Sequence, residues 1–192
     1  MPRLLAALRR FEKPVRSGLP RLIVLSDQAR GYDLGRQLAD CPPWAILIER
    51  TYGAVPGRRD GYVKQGPLRL ATTSARASRR ASLDGVHWPE KRLKKRCRSA
   101  MAGLIETASA HRGLSIAKAR QQGITHILVS VAFPSRSPSA GRPRGPIRLA
   151  LLQRAFPDCA LYALGGITGR TVIRLTRTGL AGVALISGLK PP

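Results

Sequence analysis

Residues 161–187 read LYALGGITGRTVIRLTRTGLAGVALIS, and they carry one full repeat of the fold. Leu161 to Leu164 is a short apolar run that stops at Gly165-Gly166. Thr168 can then cap a helix over 168–178, with Val172 and Leu175 facing inward and Gly179 ending it. Leu180 to Ile186 follows at once as a second strand. The same order recurs upstream, with a helical stretch at Leu114 to Arg120, a glycine at Gly123 and a strand at Thr125 to Val131. Helix, glycine, short buried strand is the grammar of repeated βα units.

Further apolar runs extend the pattern: Leu22 to Leu25, Ala45 to Ile48 and Ile127 to Val129, with weaker candidates at Leu68 to Thr72, Leu83 to Val86 and Leu104 to Ala108. They are nearly continuous rather than alternating, as strands of a parallel sheet covered on both faces are. Up to eight strands can be counted in this way; eight would close a barrel and fewer would leave an open sheet. The expected class is therefore α/β, a shortened (β/α)8 TIM barrel. The chain has 192 residues, against about 250 for the usual barrel.

One helix is missing from the pattern at Gly53 to Pro67, and another at the C-terminus, where only Lys190-Pro191-Pro192 follows the last strand and its turn. Such losses would expose apolar strand surface that a partner or a second copy, as in a homodimer, would cover. In 146–156, Ile147, Ala150, Leu151 and Ala155 share one helix face, between Pro146 in the first turn and Pro157 at the end. A helix over Pro2 to Phe11 and a Pro14–Pro20 linker give the division 1–20, helix and linker, and 21–192, barrel.

Hydrophobic residues make up 43% of the chain, which excludes wholesale disorder. No apolar run approaches the ~20 residues that span a bilayer. Charges interrupt the first ten residues, so the layout of a secretory signal is absent and a cytoplasmic location is expected. The 3 Cys, at 41, 97 and 159, show no metal or redox spacing and read as reduced thiols. Lys+Arg number 34 against 10 Asp+Glu, a formal net charge of +24 that attracts polyanions. The charges are scattered and the densest run, Lys91 to Arg98, lacks aromatics, so nucleic acid is expected to bind only non-specifically, through charge.

Ligands of parallel α/β folds bind at the carboxyl ends of the strands. There this chain places Glu49, Arg50 and Tyr52; His87, Trp88 and Glu90; Ser109 and His111; Ser130, Phe133, Ser135, Arg136 and Ser137; Gly165, Gly166 and Thr168; and Ser187 with Gly188. Gly165-Gly166 sits between a strand and a helix start, where backbone N–H groups can face a phosphate, and Ser187-Gly188 would complete such a cradle. The two glycines can equally serve a tight turn. Imidazole titrates near neutral pH, so His111 can move a proton, or it can cap the helix that begins near Gly113. His87 can do the same or pack on Trp88. His126 opens a strand at the far end and reads as structural. The strand ends offer no aspartate pair for a hard divalent ion, and Ser109 with His111 lacks the third member of a triad.

Four blocks of this sequence resemble thiamine phosphate synthase and its TenI-like relatives, the thiazole tautomerases. They are Asp84-Gly85-Val86-His87; Thr107-Ala108-Ser109-Ala110-His111; VSVAFPSRS at 129–137 followed by Gly145-Pro146; and ALGGIT at 163–168 with Gly182 to Ser187. The resemblance runs from about Leu22 to Gly188 and is strongest in the second half. It implies a TIM barrel that binds a thiazole phosphate, with Gly166, Ser187 and Gly188 on the phosphate and Arg50 matching the family's arginine after the second strand. For a synthase it also implies Mg2+ and release of pyrophosphate from a hydroxymethylpyrimidine pyrophosphate.

The departures fall at one end of that site. Ile48 and Tyr52 stand where the family has Gln and Lys, Thr72-Thr73 where it has the Asn-Asp that holds magnesium, Trp88-Pro89-Glu90-Lys91 where an aspartate is usual, and Pro138 in place of a lysine. The phosphate end survives while the cation and metal groups for a departing pyrophosphate are lost. The tautomerases need neither metal nor pyrophosphate, and His111 matches their acid/base histidine. Three readings follow: tautomerase-like chemistry on a small phosphate ester through His111; a true Mg2+-dependent synthase in which arginines replace the lost groups; and a non-catalytic basic barrel that binds polyanions.

Overall fold

The computed structural model describes residues 2–11, 18–26, 34–56, 66–95, 101–135 and 141–186. Eight parallel strands close into a barrel in sequence order. They are β1 (Leu22–Leu25), β2 (Ile46–Glu49), β3 (Leu68–Ala71), β4 (Gly85–Trp88), β5 (Ile105–Ala110), β6 (His126–Ser130), β7 (Ala160–Leu164) and β8 (Gly182–Leu185). β8 returns to β1 with Val183 opposite Leu22, which closes the ring. The shortened TIM barrel expected from the apolar runs is thus the fold, and each run overlaps a strand, the Leu83–Val86 run reaching only the first two residues of β4.

Side chains alternate along each strand between lumen and outer layer. Ile23, Ile46, Ile48, Leu70, Leu128 and Tyr162 fill the lumen. Leu22, Leu47, Val86, Ile127, Leu161 and Val183 point outward into the layer beneath the helices. Burial on both faces is why the runs are continuous, and each such side chain contributes ~1.5–3 kcal/mol.

The helices are α1 (Pro2–Leu8), α2 (Leu34–Asp40), α3 (Ala75–Arg80), α4 (Gly113–Gln121) and α5 (Gly145–Ala155). Short 3₁₀ turns at Glu90–Lys95 and Val172–Leu175 follow β4 and β7. Among the described residues no helix lies between β2 and β3; the chain after Ile186 lies outside them. α1 packs on the Val172–Leu175 turn and buries Leu4, Ala7 and Leu8, with Phe11 beyond its end. Arg21 Nη1 donates to the Leu8 carbonyl at 2.8 Å and ties that helix to the start of β1.

Two helical expectations are corrected. The helix over 168–178 is only the 3₁₀ turn Val172–Leu175. Four threonines compete with it: Thr171 Oγ1 donates to the Gly166 carbonyl, Thr168 Oγ1 accepts the N–H groups of Arg170 and Thr171, and Thr176 and Thr178 donate back to the Ile173 and Leu175 carbonyls. In α5, Ile147 and Leu151 do not face the core but are 78% and 58% exposed. The buried positions are Leu149 and Gln153. Gln153 donates to the Phe156 and Cys159 carbonyls and accepts the Leu161 N–H, so a polar side chain fixes the helix rotation where apolar spacing indicated otherwise.

Glu49, placed among the strand-end carboxylates by sequence, points outward instead and pairs with Arg69 at 3.3 Å. Cys41 and Cys159 are buried free thiols, pushed by burial up to about 12 and about 11, so neither is a thiolate at neutral pH. Cys97 lies outside the described residues. No helix among the described residues is long and apolar enough to cross a membrane.

Candidate active site

A cavity of about 970 Å³ opens at the carboxyl ends of the strands. That volume is at the upper end of small-molecule sites. Arg50, Ser109, His111, Ser135 and Gly165, all chosen from sequence, line it. Gly166 does not, and Ser137, Ser187 and Gly188 lie outside the described residues.

Its floor is a polar column across β4 and β5. His87 faces the lumen, with Nδ1 at 2.8 Å from Thr107 Oγ1 and Nε2 at 2.8 Å from Ser109 Oγ. Trp88, one residue on, points to the outer face and donates to Glu106 Oε2 at 2.9 Å, so the two do not pack as partners. Burial, aided by the nearby Arg50 charge, pushes the His87 imidazole down to about 3. It is therefore neutral at physiological pH: one ring nitrogen donates, the other accepts, and the Ser109 hydroxyl is held in place at the cavity.

This burial has a measurable cost in acid. An unfolded histidine takes up a proton near pH 6.5, whereas folded His87 does so only near 3. Stability from the neutral imidazole is present above pH 6.5 and is lost as pH falls toward 3. In urea denaturation between pH 7 and 4, the wild type is expected to lose roughly 3 kcal/mol more than His87→Gln. Parallel pH profiles for the two proteins would remove this role.

His111 begins the loop after β5 and does not cap α4; Arg112 occupies the cap position. Glu90 Oε2 accepts both the His111 backbone N–H, at 2.9 Å, and Nδ1, at 2.6 Å. Glu90 Oε1 accepts Ser115 Oγ–H at 2.5 Å. Arg144 donates to the His111 carbonyl. Burial raises the Glu90 carboxyl, but the hydrogen bonds from Ser115 and His111 outweigh it and hold the group below its ordinary value. Glu90 is thus an anionic orienter, and Nε2 is the imidazole nitrogen left for a ligand. In the sequence Glu90 is only a carboxylate near a strand end, because its partner is 21 residues away on the neighbouring unit.

The Gly165-Gly166 turn has φ values of 96° and 65°. A Cβ at Gly166 would lie 2.5 Å from the Pro134 carbonyl oxygen and 2.7 Å from that of Phe133, so this turn docks tightly under the loop after β6. The N–H of Thr168 goes to Thr171 Oγ1 at 2.8 Å, and those of Arg170 and Thr171 go to Thr168 Oγ1. Gly165 alone of the pair reaches the cavity.

Among the described residues the cavity carries five cations, Arg50, Lys91, Arg92, Arg112 and Lys118, and one carboxylate, Glu90. Of these, only Arg50 is a candidate binding residue from sequence. Arg50 is anchored to β1: its N–H donates to Ser26 Oγ at 2.8 Å and its Nε to the Ser26 carbonyl at 2.9 Å. Its guanidinium lies 5.3 Å from the centre of the Tyr52 ring. The donor set does not fit magnesium. A hard cation takes several oxygens, carboxylates foremost, and the described residues contain no group of three or more His, Cys, Asp or Glu that could hold a metal. The β3 end presents Thr72 and Thr73, and Glu90 is already engaged by three donors.

A closed eight-stranded parallel barrel with a cation-lined cavity at its carboxyl-end mouth defines the TIM-barrel class. Residues 72–189 match the family model described as thiamine monophosphate synthase, TMP-TENI. The chain belongs to that family, as the four sequence blocks indicated. A thiamine phosphate pyrophosphorylase from Pyrococcus furiosus shares the fold with a TM-score of 0.63 at 16% identity, over 86% of this chain and 85% of that one. A native KDPGal structure gives a TM-score of 0.61 at 20% identity, over 88% and 84%. No curated protein matches the chain.

Proposed function

We propose that this chain binds a small phosphate ester of the thiazole phosphate class and moves a proton on it through His111, in the manner of a thiazole tautomerase. The observation that carries the reading is the Glu90–His111 pair, 2.6 Å between Oε2 and Nδ1, at the edge of the cavity. A carboxylate on Nδ1 orients the ring so that Nε2 can accept a proton and pass it on. Nε2 takes the proton from one ring position and returns it to another, so nothing leaves and no pyrophosphate need be stabilised. Ser109, held by His87, supplies a polar contact at the floor. The phosphate lies toward Gly165, with Ser135 beside it.

The synthase reading has one observation in its favour, the cluster of five cations in the cavity. The two separate in a single assay. Given thiazole phosphate, hydroxymethylpyrimidine pyrophosphate and Mg2+, the protein is expected to form no thiamine phosphate above background, yet to interconvert thiazole phosphate tautomers without metal. Thiamine phosphate formed at a rate that Mg2+ raises and EDTA stops would overturn the proposal.

A further inference from the structure

We propose that the outer face built by α1 and the Val172–Leu175 turn is a docking surface for the phosphate backbone of a nucleic-acid duplex, bound without regard to base sequence. Six arginines stand on it: Arg3, Arg9 and Arg10 on and just after α1, and Arg170, Arg174 and Arg177 on and around the turn. All six are exposed. The chain has 10 Asp and Glu, and none of them lies in residues 1–11 or 159–192. Among the described residues no carboxylate pairs with any of the six. Elsewhere positive charge is answered: Arg69 pairs with Glu49, Arg120 pairs with Asp158, and the cavity cations share their space with Glu90. The excess charge of the chain is thus unevenly spread, and this face carries it without compensation.

The arginines are displayed on a fixed scaffold. α1 packs against the turn, with Leu4, Ala7, Leu8 and Phe11 buried in the outer layer of the barrel. A Cβ at Gly169, shortly after the carboxyl end of β7, would lie 3.2 Å from Arg3 Cβ. At the other end of the helix Arg21, just before β1, donates to the Leu8 and Arg9 carbonyls at 2.8 and 3.3 Å. The basic strip therefore runs along the side of the barrel, from the carboxyl end of β7 to the amino end of β1. None of its arginines lines the cavity.

A guanidinium stays charged and offers a phosphate two parallel donors, so a row of uncompensated arginines suits a repeated phosphate better than one small anion. The rest of the face selects among polyanions. Its phenylalanines, Phe11 and the Phe133 ring that Arg174 covers at 5.4 Å, are buried. Unpaired bases would find no ring to stack on, which disfavours single strands. Of its large apolar side chains only Ile173 is exposed, which is too little to insert into a bilayer. Contact with a duplex backbone remains, and such contacts position a nucleic acid without reading its bases.

The test is fluorescence anisotropy of the full chain with a labelled random-sequence DNA duplex, the corresponding RNA duplex and the DNA single strand, over about 50 to 200 mM salt. A duplex is expected to bind more tightly than the single strand at physiological salt, and the tighter of the two duplexes names the source. Two triple variants each remove three exposed charges. Arg3→Gln/Arg10→Gln/Arg170→Gln takes them from this face, and Arg80→Gln/Lys94→Gln/Arg154→Gln takes them from other faces. The first should weaken duplex binding about tenfold or more and flatten the slope of log K against log salt by about 2 to 3. The second should do less than half as much. Equal losses in the two variants would show a diffuse charge effect and overturn the surface, as would duplex binding confined to low salt. A preference for the single strand would also overturn it, as would binding of phosphatidylserine vesicles in place of the duplex. Thermal midpoints of both variants show whether the fold is kept. Should the first triple variant unfold, Arg170→Gln against Arg154→Gln makes the same comparison, with a change in slope of about 1 expected for Arg170→Gln alone. The face lies outside the cavity, so its failure would leave the proton-transfer reading standing.

Discussion

His111→Ala is expected to lower tautomer interconversion about 100- to 10,000-fold while leaving ligand binding nearly unchanged. The residue is held by three contacts, one through its ring and two through its backbone. Two of them, the backbone N–H to Glu90 and the carbonyl from Arg144, survive the substitution. The loop is therefore expected to keep its place, and the lost contact is the one that matters to chemistry: Nδ1 on Glu90, with Nε2 toward the ligand. In the proposed reading the phosphate lies toward Gly165, away from this loop, so KM should move little while kcat falls. Glu90→Gln should follow the same pattern more weakly, by about tenfold or more, because a neutral amide orients the ring less firmly. Added imidazole should restore part of the activity of His111→Ala and none of that of Glu90→Gln, where the ring is still present but disoriented. An His111→Ala protein as active as the wild type would take this residue out of the mechanism.

The strands were readable because their environment is uniform. A residue in β2 or β7 meets lumen on one side and helices on the other, and both want aliphatic side chains, so Ala45 to Ile48 and Leu161 to Leu164 announce themselves. Helix rotation was less readable. Ile147 and Leu151 are apolar yet exposed, while Gln153 is polar yet buried, because three hydrogen bonds satisfy its amide. Apolar periodicity cannot register a buried side chain that is satisfied rather than hydrophobic.

The site divided along similar lines. Position alone pointed to Arg50, Ser109, His111 and Gly165, since each stands at or just past a strand's carboxyl end. What sequence could not supply were the pairings across neighbouring strands. His87 and Ser109 are 22 residues apart, and Glu90 and Ser115 are 25 apart. Each pair meets only because β4 and β5 are adjacent with His87 opposite Thr107. Arg92 was hidden for another reason. It belongs to a run of basic residues that reads as a solvated face, and only its bond to the Thr72 carbonyl singles it out.

Gly85→Ala is expected to cost about 3 kcal/mol or more in urea denaturation, enough to deplete the folded protein. A Cβ at this position would overlap the Ile105 carbonyl of the adjacent strand, and a backbone carbonyl in a ladder cannot swing aside as a flexible side chain can. β4 is also short, with two register pairs to β3, Leu70 with Gly85 and Ala71 with Val86, so it would yield by moving away from β5. That movement breaks the bond from the Ile105 N–H to the Asp84 carbonyl, 2.9 Å, and strains the one from Ser78 Oγ to the Gly85 carbonyl, 2.9 Å. Two residues further along the same inward face, His87 would lose its distances to Thr107 and Ser109. Any protein that still folds should therefore also turn over substrate more slowly, with Ser109 no longer held. Gly18→Ala, where an added Cβ meets nothing within 4 Å, supplies the control and should shift stability by no more than about 0.5 kcal/mol. A Gly85→Ala protein with the wild-type midpoint would mean that β4 and β5 lie further apart than described, and the His87 column, which depends on that spacing, would fall with it.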